Sequence, residues 1–199
     1  MEPIKTVMIG QSTVGKTSIV LRMVHGSCDE KPAATVGVTF MTYVQDNIRY
    51  QMWDTAGQER FHSLMPMHFR NARIIMFVFD VNNLASLNAI EKYTSDLLNI
   101  ENYLIIIVGN KIDLFDEESN DEDDYDEMMA TTKEKLKNSP LNPFIFNYVF
   151  VSAKTGENFD ALLETIDDCG KAAQKDPELR SYIPMGTDMQ DDQELSCVC

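Results

Sequence analysis

Short runs of apolar, mostly β-branched residues alternate along the chain with longer amphipathic stretches. The apolar runs are continuous and of strand length, which is typical of strands buried on both faces of a parallel sheet. The amphipathic stretches repeat apolar residues at helical spacing, as Phe159, Leu162 and Ile166 do. The predicted strands are 6–9, 74–79, 104–108 and 148–151, and the predicted helices are 16–24, 85–100 and 159–173.

A different pattern in the first third of the sequence predicts a β-hairpin. Residues 41–44 and 49–53 are strand-like, and Asp46 and Asn47 between them are residue types that tolerate the backbone of a tight turn. We therefore expect one antiparallel edge strand on an otherwise parallel sheet. Alternating strands and helices predict a doubly wound α/β fold whose ligands bind at the carboxyl ends of the strands.

We expect one folded domain over residues 1–174 and a flexible tail over residues 175–199. A chain of 199 residues with 44% hydrophobic residues suits one α/β domain and leaves little room for a second core. After Lys175 the sequence turns polar and contains Pro177, Pro184 and Gly186, which do not favour a packed element.

The charge of the chain is strongly negative and unevenly distributed. Thirty-two acidic side chains stand against 17 basic ones, a formal charge of −15. This balance argues against nucleic-acid binding and against electrostatic docking on anionic membranes. Nine of the twelve residues 116–127 are acidic, and we interpret them as a solvated loop. A calcium loop of the EF-hand type is the weaker interpretation, because Asp121 stands where that loop needs glycine.

The cysteines and the apolar runs predict a cytosolic protein unless something tethers it. The four cysteines show neither metal-ligand spacing nor a disulfide framework, which favours a reducing compartment. The first residues carry no signal-peptide pattern. The apolar runs 74–79 and 104–108 are far shorter than a bilayer span.

Residues 10–17, Gly-Gln-Ser-Thr-Val-Gly-Lys-Thr, match the phosphate-binding loop pattern GxxxxGK[ST]. They follow a predicted strand and open a predicted helix, the context that this motif requires. Backbone N–H groups can converge there on phosphate oxygens, and the helix N-terminus adds partial positive charge. We expect Lys16 to reach the β- and γ-phosphates and Thr17 to ligate Mg²⁺. The residues expected to contact the nucleotide here are Ser12, Thr13, Val14, Gly15, Lys16, Thr17 and Ser18.

Residues 110–113, Asn-Lys-Ile-Asp, follow the predicted strand 104–108 and favour guanine as the base. The Asp113 carboxylate can accept hydrogen bonds from N1–H and the exocyclic amine of guanine. Adenine lacks both donors and would leave the carboxylate unpaired, a mismatch that discriminates by about 10⁴ or more. Residues 152–154, Ser-Ala-Lys, can supply a backbone N–H to the guanine oxygen. The expected base-binding residues are Asn110, Lys111, Asp113, Ser152, Ala153 and Lys154.

A third motif, Trp53 to Glu59, follows the second strand of the predicted hairpin. We expect Asp54 to hold Mg²⁺ through water and the backbone N–H of Gly57 to contact the γ-phosphate. Gln58 is the candidate for orienting the attacking water in an in-line hydrolysis. A polar turn after a strand is the alternative interpretation of Asp54 and Gln58, and the two other motifs favour the catalytic one.

These motifs stand in family order from about Ile4 to Ala173, and the sequence resembles the small GTPases of the Ras superfamily. WDTAGQERF at residues 53–61 and the terminal Cys-Val-Cys resemble the Rab branch. The resemblance implies a P-loop NTPase G domain over residues 1–174. Its fold would be a six-stranded, mostly parallel sheet with one antiparallel edge strand and about five helices. It also implies that the Thr35 hydroxyl completes the Mg²⁺ shell.

The resemblance further implies a switch that cycles between GDP and GTP and regulates vesicle trafficking at membranes. GTP hydrolysis would be slow without help, with Lys16 and Gln58 as the catalytic residues. The γ-phosphate and Mg²⁺ would order Thr35 and the Gly57 region, which relax after hydrolysis. The implied partners are effectors at the switch regions, an exchange factor, a GTPase-activating protein, and prenylation and membrane-extraction machinery. We expect a monomer with no nucleic-acid partner.

The chain departs from the family at positions that matter for the rates. Thr13 stands where relatives usually carry glycine, and a β-branched residue there could crowd the γ-phosphate and slow hydrolysis. Cys28 stands where relatives carry an aromatic ring over the guanine. Loss of that ring removes stacking of about 1 kcal/mol or more, so we expect fast spontaneous exchange. Thr39 replaces the usual Rab aspartate, so effector identity does not carry over.

The tail ends in Cys197 and Cys199, a C-x-C pattern that in Rabs receives two geranylgeranyl groups. Two lipid chains suffice for stable anchoring where one is marginal. Two exposed thiols on a flexible tail are the alternative. Residues 181–199 contain no Lys or Arg, so anionic lipids give no help. The expected location is the cytoplasm and, peripherally, the cytosolic face of intracellular membranes.

Two other functions stay open at this point. A guanine-nucleotide sensor that binds GTP but scarcely hydrolyses it would fit Thr13. A phosphate-loop ATPase or kinase would fit residues 10–17 alone, and Asp113 argues strongly against it.

Overall fold

Six strands form one sheet in the computed structural model, which describes residues 2–27, 35, 37–55, 65–114 and 122–175. The strands are β1 (Ile4–Ile9), β2 (Val38–Gln45), β3 (Ile48–Thr55), β4 (Ile74–Asp80), β5 (Leu104–Asn110) and β6 (Ile145–Val151). Their spatial order is β2-β3-β1-β4-β5-β6, in which β2 pairs antiparallel with β3 and the other neighbours pair parallel. The predicted α/β class with one antiparallel edge strand is confirmed.

Five α-helices in the described part of the chain cover the two faces of this sheet. The helices are α1 (Lys16–His25), α2 (Met65–Phe69), α3 (Ile90–Leu98), α4 (Glu122–Lys137) and α5 (Phe159–Lys175). One apolar core lies between the sheet and α1 and α5, and a second lies between the sheet and α2, α3 and α4. No helix within the described ranges combines the length and the apolar character needed to cross a bilayer.

The predicted hairpin is confirmed, with β2 and β3 joined by Asp46 and Asn47. Their φ angles of 46° and 66° lie in the left-handed region that a tight two-residue turn needs. The turn sets a register in which Tyr43 pairs with Tyr50 and Val38 pairs with Thr55. Asp54 therefore lies at the same end of the sheet as the turn that follows β1.

The continuous helix predicted over residues 85–100 is wrong in its first part. Leu84–Ala89 form a 3₁₀ helix, and α3 begins only at Ile90. The Ser86 hydroxyl accepts a hydrogen bond from the Asp80 N–H (2.9 Å) and donates to the Asn83 carbonyl (2.6 Å). Such local side-chain bonds compete with the α-helical pattern.

The acidic run 116–127 is not only a loop, because α4 begins inside it at Glu122. Residues 115–121 lie outside the described residues. Acidic residues are favoured at the N-terminus of a helix, where the helix dipole is positive. Further along, Met128, Thr132 and Leu136 are buried at a spacing of one helical face. The sequence analysis missed this repeat of buried positions because it follows so many acidic residues.

Candidate functional site

The carboxyl ends of five neighbouring strands bring the predicted motifs together. The turn after β1 carries residues 10–17, and Asp54 lies near the end of β3. Asp80 and Asn110 end β4 and β5 and pair with each other in the sheet register. Ser152 follows β6 directly. Parallel strands share this edge, so motifs far apart in sequence become neighbours.

The loop of residues 10–17 packs so tightly that two of its positions accept only glycine. A Cβ on Gly15 would lie 2.2 Å from Asn110 Nδ2, and a Cβ on Gly10 would lie 2.1 Å from the Val78 carbonyl oxygen. Their φ angles of 98° and 139° are also unfavourable for other residues. The loop is therefore held against the backbone of β4 and against the Asn110 side chain of β5, and α1 begins at its penultimate residue, Lys16.

Lys16 is buried, and its ammonium group is held by the loop itself. Nζ donates to the carbonyl oxygens of Gly10 (3.0 Å) and Gln11 (2.7 Å). Burial lowers the pKa of Lys16 to about 8, and the Asp54 carboxylate acts in the opposite direction. An ammonium group held by neutral carbonyls in a buried position is a strong partner for an anion such as a phosphate.

Three oxygen-bearing side chains meet beside Lys16. The Thr17 hydroxyl lies 2.7 Å from the Thr35 hydroxyl and donates to Asp54 Oδ2 at 2.7 Å. Asp54 Oδ1 is buried and has no hydrogen-bond partner among the described residues. Burial raises the pKa of Asp54, and the hydrogen bond from Thr17 and the charge of Lys16 lower it. Hydroxyl and carboxylate oxygens are the ligands that Mg²⁺ prefers, so this group of atoms fits the predicted metal.

Thr13 has a φ angle of 68° and is exposed in the middle of the loop. Among the described residues with left-handed backbone, it is the one with a β-branched side chain. This conformation costs a residue other than glycine about 1–2 kcal/mol. The departure that the sequence indicated is therefore also a point of backbone strain.

Asn110 joins the two halves of the site. Its side chain is buried, with Nδ2 donating to the Val14 carbonyl at 2.8 Å and Oδ1 accepting the Ala153 N–H at 3.0 Å. Val14 belongs to the phosphate-binding loop and Ala153 to the loop after β6. One side-chain amide therefore forms a hydrogen bond with each loop and holds the two loops at a fixed distance from each other.

Asp113 and Ser152 form the second contact between the predicted base-binding loops. The Ser152 hydroxyl donates to Asp113 Oδ1 at 2.6 Å and accepts the Thr155 N–H at 3.0 Å. Lys154 Nζ lies 3.9 Å from Asp113 Oδ2, while the Lys154 side chain remains mostly exposed. The carboxylate is thus held by one of its oxygens, and the geometry leaves the other in reach of a ligand.

The structure assigns a contact to Asp80 that the sequence analysis missed. Asp80 Oδ2 lies 2.7 Å from Lys111 Nζ, and Oδ1 accepts the Asn82 N–H at 3.0 Å. The Asn82 amide in turn donates to the Lys111 carbonyl at 3.0 Å, and Lys111 has a φ angle of 72°. A signal was available, because Asp80 follows the apolar run 74–79 as Asn110 follows 104–108.

A partly exposed aromatic surface lies on β2, β3 and α2 and includes Trp53, the residue before Asp54. The Phe40 ring is 5.8 Å from the Trp53 ring in an edge-to-face arrangement, and the His68 ring is 6.2 Å from the Trp53 ring. Phe40 is 51% exposed, and Met67 is 66% exposed. Lys5 Nζ lies 4.4 Å from the Trp53 ring centroid. Exposed apolar side chains such as Phe40 and Met67, next to half-buried aromatic rings, are typical of protein interaction surfaces.

Five residues of the sequence predictions lie outside the described residues. Their expected roles in hydrolysis, base stacking and lipid attachment therefore stay predictions. They are Cys28, Gly57, Gln58, Cys197 and Cys199.

Comparison with known proteins assigns most of the chain to one group. The model of the Ras family matches residues 5–169. The chain is 39% identical over 171 residues to the GTP-binding protein YPT53 of Saccharomyces cerevisiae, an alignment that covers 83% of this chain and 75% of that protein.

Proposed function

The chain belongs to the Ras family of small GTPases, and from this premise we propose which of its residues bind and hydrolyse the nucleotide. As a Rab-type member it binds GDP and GTP with Mg²⁺, hydrolyses GTP and acts as a switch in vesicle trafficking. The observation that carries the residue assignment is the direct bridge that Asn110 makes between two loops. One of these loops has the chemistry for phosphate, and the other lies beside Asp113.

The phosphates bind in the loop of residues 10–17. Lys16, held by two carbonyl oxygens, offers its ammonium group to the β- and γ-phosphates. The backbone N–H groups of residues 12–18 surround the phosphate oxygens, and the N-terminus of α1 adds its partial charge. The Gly57 N–H meets the γ-phosphate.

Mg²⁺ binds at the hydroxyl groups of Thr17 and Thr35, with Asp54 holding it directly or through water. The buried, unpartnered Asp54 Oδ1 supports this assignment. When bound, the ion neutralises negative charge on the β- and γ-phosphate oxygens.

Guanine binds between the loop of residues 110–113 and the loop of residues 152–154. Asp113 accepts N1–H and the exocyclic amine through its carboxylate. Asp80 holds the Lys111 ammonium at 2.7 Å, which leaves the aliphatic part of Lys111 for the purine. The backbone of Ala153 and Lys154 faces the guanine oxygen, and the Lys154 side chain packs on the base.

Hydrolysis is an in-line displacement at the γ-phosphorus. The water oxygen forms a bond to phosphorus as the bond to the β–γ bridging oxygen breaks, and GDP leaves with the electron pair. Gln58 orients the water, and Lys16 stabilises the charge that spreads over the phosphoryl oxygens.

Wild-type protein loaded with GTP is expected to hydrolyse it measurably in a single turnover, and Gln58→Leu is expected to slow this step by about 10- to 100-fold. The reason is that leucine cannot orient the water. Phosphate release is followed after rapid mixing with Mg²⁺. The matched control is Gln174→Leu on the exposed end of α5, which should hydrolyse GTP at the wild-type rate.

The alternative function is a guanine-nucleotide sensor with little hydrolysis, and the strained Thr13 favours it. The same experiment separates the two functions through Thr13→Gly, which removes the β-branched side chain and the backbone strain at this position. Equal, very slow hydrolysis by the wild type and Gln58→Leu, with faster hydrolysis by Thr13→Gly, would support the sensor. Hydrolysis that depends on Gln58 in the wild type supports the GTPase switch.

Effectors dock on the aromatic surface formed by Phe40, Trp53 and His68, at the edge of the switch segments. The exposure of Phe40 and its contact with Trp53 support this placement. Thr35 lies close in sequence to β2. When the bound nucleotide orders the switch segment around Thr35, the change is therefore transmitted along the chain to this surface. The exchange factor and the GTPase-activating protein act on the same switch segments. Prenylation and membrane-extraction proteins act on the tail.

Cys197 and Cys199 carry the membrane anchor, and the protein moves between the cytoplasm and the cytosolic face of intracellular membranes. We expect intact mass spectrometry of the protein from cells to give the mass of two prenyl groups. Cys197→Ser with Cys199→Ser should move the protein to the soluble fraction, and either single variant should bind membranes only weakly. An unmodified wild-type mass together with unchanged fractionation of the double variant would contradict the anchor.

A further inference from the structure

Arg22 of α1 reaches the loop after β6, 131 residues further along the chain. Its Nε donates to the Ala153 carbonyl at 2.5 Å, and its Nη2 donates to the Lys154 carbonyl at 2.6 Å. These are two adjacent carbonyl groups of the loop that follows β6. The planar guanidinium group presents separate N–H donors in a fixed geometry, so it binds both carbonyls at once.

The surroundings of Arg22 hold the guanidinium in this position. Its Cζ lies 5.8 Å from the Phe159 ring centroid, a cation–π contact, and Nη1 donates to the Gly26 carbonyl at 3.4 Å. The guanidinium also approaches Gly156, where a Cβ would lie 2.8 Å from Nη1. A larger residue at position 156 would therefore have to displace the guanidinium from its present position.

The contacts of Arg22 determine where a backbone donor points. A trans peptide is planar, so its C=O and the following N–H point in opposite directions. Arg22 draws the Ala153 carbonyl toward α1, and the N–H of Lys154, in the same peptide, is thereby directed away from α1. The Ala153 N–H is already paired with Asn110. The Lys154 N–H is thus the donor whose direction Arg22 controls.

We propose that Arg22 is a positioning residue for the guanine base, which aims the Lys154 N–H at the base and slows nucleotide dissociation. The proposal rests on the proposed function, in which the loop of residues 152–154 binds the base. Arg22 acts through the loop backbone and does not touch the nucleotide. It lies on the helix that begins at Lys16, so one element links the phosphate end of the site to the base end.

The test measures the dissociation of fluorescently labelled GDP and the single-turnover hydrolysis of GTP on the same preparations. In Arg22→Ala the ratio of the dissociation rate constant to the hydrolysis rate constant should rise about tenfold, because the base contact loosens while the phosphate end is kept. Arg22→Lys keeps the charge but lacks the planar guanidinium that spans the two adjacent carbonyls, so its ratio should lie between the wild-type ratio and the Arg22→Ala ratio. Arg49→Ala, an exposed arginine on β3, should match the wild type.

If Arg22 only stabilises the packing of α1 against the loop after β6, a different result is expected. Thermal unfolding of Arg22→Ala would shift, and dissociation and hydrolysis would change in equal proportion or not at all. Either result overturns the proposal. If Arg22→Ala does not fold, the ratio of dissociation to hydrolysis is measured in Arg22→Lys and Arg22→Gln. A ratio equal to the wild-type value in both variants overturns the proposal.

Failure of the base-site assignment itself has a separate readout. If Asp113→Asn does not change the preference between GDP and xanthosine diphosphate, the proposed base site is wrong. If that preference changes and the Arg22→Ala ratio stays at the wild-type value, the base site stands and only the role of Arg22 is wrong.

Discussion

GDP affinity is expected to fall by about 10⁴-fold in Asp113→Asn, while xanthosine diphosphate becomes the better ligand of the variant. Guanine offers two donors, N1–H and the exocyclic amine, to the two carboxylate oxygens of Asp113. An asparagine presents one acceptor and one donor, so its NH₂ group meets the guanine amine with donor against donor. Xanthine carries a carbonyl oxygen in place of that amine, which restores a complementary pair.

The hydrogen bond from Ser152 fixes the orientation of the asparagine amide in this variant. The Ser152 hydroxyl accepts the Thr155 N–H and donates to Oδ1 of residue 113 at 2.6 Å, so the oxygen of an asparagine amide must occupy that position. The NH₂ group then takes the place of Oδ2. A variant free to rotate its amide would discriminate less.

Competition of GDP, xanthosine diphosphate and ADP against labelled GDP measures the three affinities at fixed Mg²⁺. The matched control is Asp46→Asn in the β2–β3 turn, a position whose backbone conformation also suits asparagine. It should keep the wild-type preference for GDP. A variant Asp113→Asn that still prefers GDP over xanthosine diphosphate would show that this carboxylate does not read the base.

Asn110→Ala is expected to raise the GDP dissociation rate by about 100-fold or more. The substitution removes two buried hydrogen bonds and leaves the Val14 carbonyl and the Ala153 N–H unpaired, at a cost of about 1–3 kcal/mol for each group. These two groups belong to the loops on either side of the nucleotide. The loops should therefore separate more easily, and the nucleotide should leave through the gap.

The variant Asn110→Asp distinguishes the contributions of these two hydrogen bonds. Aspartate keeps an acceptor for the Ala153 N–H, whereas its second oxygen faces the Val14 carbonyl without a proton to share. Dissociation of labelled GDP and thermal unfolding at saturating GDP are the measurements. Asn99→Ala at the C-terminus of α3, with its amide on the Ser95 carbonyl, is the matched control. Dissociation of GDP from Asn110→Ala as slow as from Asn99→Ala would contradict the bridging role.

Most of the fold could be predicted because its elements carry local patterns. The buried strands are continuous apolar runs, and the hairpin turn has residue types suited to left-handed backbone at 46–47. The prediction was wrong where a local pattern was misleading. Ser86 turns the predicted start of α3 into a 3₁₀ helix through its own backbone contacts. The start of α4 was missed because acidic residues at a helix N-terminus have the same sequence pattern as a solvated loop.

The candidate site divides in the same way. Residues 10–17 and 110–113 are contiguous motifs, and each has one chemistry that follows from its side chains. Asp80 is a single carboxylate after a strand, and only the pairing of β4 with β5 brings it to Lys111. Arg22 has no signal in the sequence, because its partners lie on a different element.

The sequence by itself determined the order of the elements, the nucleotide chemistry of the motifs and the family, since all of these depend on residues close together in the chain. Only the tertiary structure decided that one buried amide, Asn110, contacts both loops, that Arg22 donates to two carbonyls of the loop after β6, and that Thr13 occupies left-handed backbone. Each of these depends on groups from different strands meeting at one edge of the sheet. The spacing of residues along the chain does not show which of these groups are close in space, because their proximity results from the packing of the parallel sheet.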